Sequence, residues 1–278
     1  MATQLLFTLP ILVSPTSDKG SGTVVCTSPS SGVYVLTFTS PPDNRLLTPF
    51  CQSLLLALDI LEFSYPHGVV ITTSGIQKFF SNGLDLEHAS STKGFFPNSL
   101  FALFKRLLTY PMPTIALING HAFAGGFMLA MYHDYRVFNP SRGFLCLNEL
   151  DLGVPLQPAM SSVFRQKLTP QVYKLMVLEA KRFSGKEALE GGIVDILGGI
   201  EECLTLVKER KLNEKAKTGV YGALKAEMFR ETMEYVTPEG YEREEVRSKK
   251  AWELDDQRRE EGRLRVVEWR RNALKAKL

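Results

Sequence analysis

Apolar positions come in short blocks along this chain, and the spacing within each block sets the element it predicts. Residues 32–39 are rich in β-branched and aromatic side chains and stop at Pro41-Pro42-Asp43-Asn44, the composition of a strand running into a turn. Thr48-Pro49 then opens a helix, and residues 54–63 are apolar nearly all round, broken only by Asp59 and Glu62, as in a helix buried between other elements. Residues 68–73 predict a second strand, too uniformly apolar for an exposed edge. An amphipathic helix is expected over 98–108, stopped by Pro111 and Pro113, and a third buried strand over 114–118. A helix around 127–132 and short strands over 135–138 and 144–147 follow. Repetition of strand, turn and helix on this scale predicts an α/β fold. From residue 201 the pattern changes to long charged stretches with spaced apolar residues, so the expected organisation is a core over 25–200 and a helical extension over 201–278.

Two glycine-bearing turns punctuate the strands. One is Phe79-Phe80-Ser81-Asn82-Gly83-Leu84-Asp85-Leu86, and the other is Asn119-Gly120-His121-Ala122-Phe123-Ala124-Gly125-Gly126; a single acid, Glu149, follows the next pair of strands. Glycine lets the backbone approach a ligand with no Cβ in the way, and a turn that opens a helix leaves its first N–H groups unpaired. Such N–H groups stabilise an oxyanion, while one carboxylate can move a proton. Asp85, just before Leu86-Glu87, is expected to cap a helix.

The 278 residues are enough to bury a large core, and 44% hydrophobic with 23% charged residues describes an ordinary globular protein. A net charge of +3, with basic and acidic residues interleaved, argues against a nucleic-acid partner. Cys26, Cys51, Cys146 and Cys203 contain no CxxC pair, so neither a disulfide framework nor a thiolate metal site is expected. His88, His121 and His133 lack HxxxH spacing, and no metal is expected there either. The apolar run at residues 5–13 is interrupted by Pro10, has no basic residue before it and is too short to span a bilayer, so no secretory signal and no membrane partner are expected. The chain ends Ala276-Lys277-Leu278, one substitution from a Ser-Lys-Leu peroxisomal address.

Ser81-Asn82-Gly83-Leu84-Asp85, the Asn119 to Gly126 turn, and the later Gly185-Lys186-Glu187-Ala188 and Gly192-Ile193-Val194-Asp195 resemble the enoyl-CoA hydratase/isomerase, or crotonase, superfamily. The resemblance implies a crotonase-type spiral of strand-strand-helix units with a C-terminal helical region. It implies an acyl-CoA thioester substrate, with no cofactor beyond the CoA that is part of it, and a homotrimer. It also implies that the backbone N–H groups of Asn82 and Gly125 hold the thioester oxygen, and that Ser81, Gly83, Leu84, Asp85, Gly126 and Met128 surround the substrate.

The acids narrow the reaction. Hydratases of the superfamily use two glutamates, and the position of the first is occupied here by Met128, which cannot accept a proton or orient water; the second falls at Glu149. A lone glutamate facing an oxyanion hole suits a proton shuttle that moves the double bond of a β,γ-enoyl thioester into conjugation, as in the peroxisomal enoyl-CoA isomerases. With the C-terminal tripeptide, this implies a peroxisomal enzyme of fatty-acid β-oxidation or a related pathway, imported by a receptor that reads Ala276, Lys277 and Leu278. The alternatives are a hydratase or other crotonase-type enzyme, and an acyl-CoA binding protein without turnover.

Overall fold

The computed structural model describes residues 3–12 and 20–275. In chain order its elements are β1 (Gln4–Leu12), β2 (Gly20–Ser30), β3 (Val33–Thr39), α1 (Thr48–Ser64), β4 (Val69–Ser74), β5 (Phe79–Ser81) and α2 (Leu86–Ser91). A π-helical turn at Phe96–Leu100 leads into α3 (Phe101–Thr109), followed by β6 (Thr114–Ile118), β7 (His121–Phe123), α4 (Gly125–Met131), β8 (Tyr135–Phe138), β9 (Leu145–Cys146) and α5 (Glu149–Leu152). Then come α6 (Pro158–Lys167), α7 (Pro170–Leu178), α8 (Gly185–Glu190), β10 (Ile196–Leu197), α9 (Ile200–Glu209), α10 (Leu212–Lys215), α11 (Tyr221–Met228), α12 (Arg230–Tyr235) and α13 (Pro238–Lys275).

Seven strands form the large sheet in the order β1-β2-β3-β4-β6-β8-β10. The β1-β2-β3 part is antiparallel, and from β3 to β10 every pairing is parallel. Parallel strands covered on both faces need apolar residues at successive positions, which is why β6 is buried at every residue and β4 at all but one. The sequence missed β1 and β2. Pro10 reads as an interruption of its apolar run, yet it sits in β1 at one border of the sheet, and a proline on an edge strand removes no hydrogen bond the sheet needs.

The small sheet, β5-β7-β9, positions the chemistry. Its strands are two or three residues long and all parallel, so their C-terminal ends emerge together.

By compactness the chain divides at Thr237/Pro238, beyond the 200/201 boundary expected from composition. The reason is packing: Cys203, Leu206 and Val207 of α9 and Leu212 of α10 join Val33, Val35, Val69, Ile71, Ile115, Leu117 and Val137 of the sheet in one apolar cluster. The second unit is the single helix α13, whose charges pair along its own length, as in Arg258 with Asp255 at 2.8 Å and Arg259 with Asp255 at 2.7 Å. Residues 276–278, the expected targeting tripeptide, lie outside the described residues.

Candidate active site

The three strands of the small sheet deliver three turns to one place: Asn82-Gly83-Leu84 after β5, Ala124-Gly125 after β7, and Asn148-Glu149 after β9. The first two are in backbone contact. Gly83 has φ +85°, and a Cβ built on it would stand 2.9 Å from the Phe123 carbonyl oxygen and 3.1 Å from the Gly125 nitrogen. A Cβ on Gly126 would run into the Ser81 carbonyl. Both glycines are therefore required by close approach of the two turns.

A segment that the sequence reading treated only as a turn holds the first of them. The Asn82 N–H donates to the Asp43 carbonyl at 2.9 Å, and the Leu46 N–H donates to the Gly83 carbonyl at 2.9 Å. Ser81 Oγ donates to the Asn44 carbonyl at 2.7 Å, and the fully buried Asn44 side chain donates to the Phe80 carbonyl at 3.0 Å and to Ser74 Oγ at 2.7 Å. Arg45 donates to the Leu84 carbonyl at 2.8 Å and to Asp43 Oδ2 at 3.1 Å, and Asn82 Nδ2 reaches the same carboxylate oxygen at 2.7 Å. Asn44 sits at φ +54°, in the left-handed region that asparagine tolerates better than most residues. That tolerance is the only local signal of its role.

These bonds correct one expectation. The Asn82 N–H already has the Asp43 carbonyl as its acceptor, and the Gly83 N–H has Ser81 Oγ at 3.2 Å. Two residues further from Asn82, the Leu84 N–H has no protein acceptor among the described residues; nor does the Gly125 N–H, which opens α4. The Gly83-Leu84 peptide also has its oxygen bonded by Leu46, which polarises the group and makes its N–H a stronger donor.

Leu84 and Gly125 line a cavity of about 740 Å³ together with Arg45, Asn82, Met128, Asn148 and Glu149. Apolar side chains, among them Leu86, Phe96, Leu152 and Met160, supply most of the remaining wall. Glu149 is the one carboxylate in that wall among the described residues. It is 7% exposed, and its Oε2 has no hydrogen-bond partner among the described residues. Burial raises its carboxyl from 4.5 to about 7, against a smaller opposing effect of a backbone hydrogen bond. The Asn148 side-chain oxygen beside it is also buried without a partner.

Of the other expected substrate contacts, Leu84 and Met128 line the cavity and Ser81, Gly83, Asp85 and Gly126 do not. Ser81 is fully buried, bonded to Asn44 and to the Gly83 N–H. Asp85 is the N-cap of α2, accepting from the His88 N–H at 2.8 Å. Met128 is 1% exposed. His88 Nε2 accepts from the Thr48 N–H at 3.1 Å, and His133 is fully buried between Thr72 and the Leu129 carbonyl, where burial lowers its pKa to about 3.

Helix α4 is fixed at its far end by buried charge. Lys167 Nζ donates to the Met131 and His133 carbonyls at 2.6 Å each, and Lys225 pairs with Asp134 at 3.0 Å with both side chains nearly inaccessible. Asp134 in turn accepts from the Thr114 N–H at 2.8 Å, tying the end of α4 to the start of β6. Desolvation lowers the pKa of both lysines.

A mixed α/β spiral with two glycine turns converging on one buried acid defines a class, and comparison with known proteins agrees with it. The chain belongs to the enoyl-CoA hydratase/isomerase family, whose sequence profile it matches over residues 28–277. It is 31% identical over 226 residues to enoyl-CoA delta isomerase 3 of Arabidopsis thaliana, covering 74% of this chain and 93% of that one. Enoyl-CoA delta isomerase 2, peroxisomal, of the same plant is 33% identical over 202 residues, covering 69% and 84%. The crystal structure of a probable enoyl-CoA hydratase from Mycobacterium tuberculosis superposes with a TM-score of 0.70 at 24% identity, covering 83% of this chain and 98% of that one, and shares its fold.

Proposed function

We propose that the chain is an enoyl-CoA delta isomerase. The observation that carries this reading is the lone carboxylate of the cavity wall, Glu149, set among apolar side chains with a free oxygen and a pKa raised to about 7. Glu149 removes a proton from C2 of a β,γ-enoyl thioester. The C2–H electrons form a C1–C2 double bond as the carbonyl π electrons move onto the thioester oxygen, giving a dienolate; when it collapses the carbonyl re-forms, the C1–C2 π pair becomes the C2–C3 double bond and the C3–C4 π pair takes up a proton at C4. The Leu84 and Gly125 N–H groups meet that oxygen; one such donor is worth roughly 3 to 4 kcal/mol of barrier. Protonated Glu149 then delivers its proton to C4, giving the conjugated α,β-enoyl thioester and regenerating the carboxylate. A pKa near the working pH serves both halves of the shuttle. Function in the peroxisome, in β-oxidation or a related pathway, is supported by the name of one relative and by Ala276-Lys277-Leu278. A homotrimer and a receptor for that tripeptide belong to the same proposal. Removing the tripeptide from a tagged chain is expected to leave it in the cytosol; unchanged import refutes the targeting claim.

A hydratase reading has one observation in its favour. A water molecule needs two acceptors, and the Asn148 oxygen beside Glu149 is a second buried acceptor without a partner. The two are separated by product: incubated with a 3-enoyl-CoA, an isomerase accumulates the 2-enoyl-CoA, and a hydratase given the 2-enoyl-CoA yields a 3-hydroxyacyl-CoA. Glu149→Gln is expected to abolish the first conversion; retained isomerisation removes Glu149 from the mechanism.

A further inference from the structure

The parallel small sheet has two ends. Its C-terminal ends carry the turns described above, and its N-terminal ends carry a cluster that the isomerase reading does not use. There Lys78 precedes β5, His121 begins β7, and Arg142 and Phe144 precede β9, around a surface depression of about 300 Å³ lined by Gln77, Lys78, His121, Arg142 and Gly143. The His121 ring lies 5.5 Å from Phe79, 4.9 Å from Phe123 and 5.9 Å from Phe144, inclined 29° to the last. Lys78 Nζ stands 5.2 Å from the Phe79 ring, and the Arg182 guanidinium 6.0 Å from the Phe123 ring.

Two features of this cluster bear on what it can bind. First, three cations, Lys78, Arg142 and Arg182, gather here with no ion pair among the described residues, and Arg142 donates to the neutral Gln77 Oε1 at 3.1 Å. Second, the imidazole is oriented as a donor. Its Nδ1 accepts from the Phe144 N–H at 3.1 Å, which leaves the hydrogen of the neutral ring on Nε2. Burial together with Lys78 and Arg182 lowers the His121 pKa, so the ring stays neutral in a positive field. Unpaired cations, one fixed N–H and an exposed phenyl face suit a ligand that joins phosphate groups to a flat ring.

We propose that this end of the small sheet binds a phosphate-bearing ligand with an aromatic base, the chemistry of a nucleoside diphosphate. The phosphates meet Lys78, Arg142 and His121, and the base stacks on Phe144. The test is calorimetric titration of the full chain with ADP and with pyrophosphate at low and at high salt. ADP is expected to bind, more tightly than pyrophosphate and less tightly as salt rises. Arg142→Glu, an exposed position outside the candidate active site, is expected to weaken ADP binding by about tenfold or more, the effect of reversing one charge near a phosphate in high dielectric. Phe144→Ala is expected to remove the advantage of ADP over pyrophosphate. Both variants should keep the rate of 3-enoyl-CoA isomerisation. No binding of either probe overturns the proposal, as does ADP binding that Arg142→Glu leaves unchanged, which would place the nucleotide in the catalytic cavity. A change of oligomeric state in Arg142→Glu without any ADP binding also overturns it, and makes the patch an interface between copies.

Discussion

Burying a carboxylate for chemistry costs stability, and Glu149 lets that cost be measured. Its pKa is raised from 4.5 to about 7, so the folded chain holds a proton that the unfolded chain gives up more readily. The Glu149 contribution to stability is therefore fully present below about pH 4.5 and is lost as pH rises to about 7, at roughly 1.4 kcal/mol per unit. The shift amounts to about 3 kcal/mol, on the order of 5 °C in Tm for a chain of this size. Glu149→Gln keeps the shape and cannot ionise. Its stability relative to the parent should rise from near its acid-side value at pH 4.5 to about 3 kcal/mol above it at pH 8, while isomerisation of a 3-enoyl-CoA disappears. Urea denaturation of both proteins across that range, read beside activity, is the assay. A difference that does not change with pH would refute the desolvation argument, even if activity were lost.

If Glu149 is the proposed base, kcat/KM for the 3-enoyl-CoA should rise through about pH 7 as it ionises, and a profile flat from pH 5.5 to 8.5 would contradict the assignment. Gly126→Ala forces a Cβ into the Ser81 carbonyl and should cost several kcal/mol or separate the two turns, seen as a lowered urea midpoint with loss of isomerisation. Lys225→Met leaves buried Asp134 without its cation and should destabilise the chain by about 3 kcal/mol, with part of that recovered in the double variant Lys225→Met, Asp134→Asn. Met128→Glu restores a second acid to the cavity wall and should yield detectable 3-hydroxyacyl-CoA from a 2-enoyl-CoA, at reduced stability because the position is 1% exposed.

The parts of the fold that sequence reveals are those where burial leaves one composition. The apolar runs of β4, β6 and β8 are buried almost throughout and lie where periodicity places them. Strands β1 and β2 escape because at a sheet border polar residues and a proline are tolerated, so the pattern is diluted. At the site, the glycine turns are legible because their close approach admits few residue types, and Glu149 because a lone acid follows a short apolar strand. Which N–H is free is not legible. It depends on residues 43–46 lying beside residues 81–84, a pairing across a helix and a strand that no local pattern records. Asn44 and Arg45 are invisible for the same reason.

That pairing has a consequence for dissecting the protein. A fragment that begins after α1 would retain both glycine turns and Glu149, yet the Gly83 carbonyl would lack Leu46 and the Asn82 N–H would lack Asp43. The turn that carries the Leu84 N–H is in that sense a joint between two stretches of chain. Changing the length of the connection between β3 and α1 would alter a donor angle in the cavity, though no cavity side chain had been replaced.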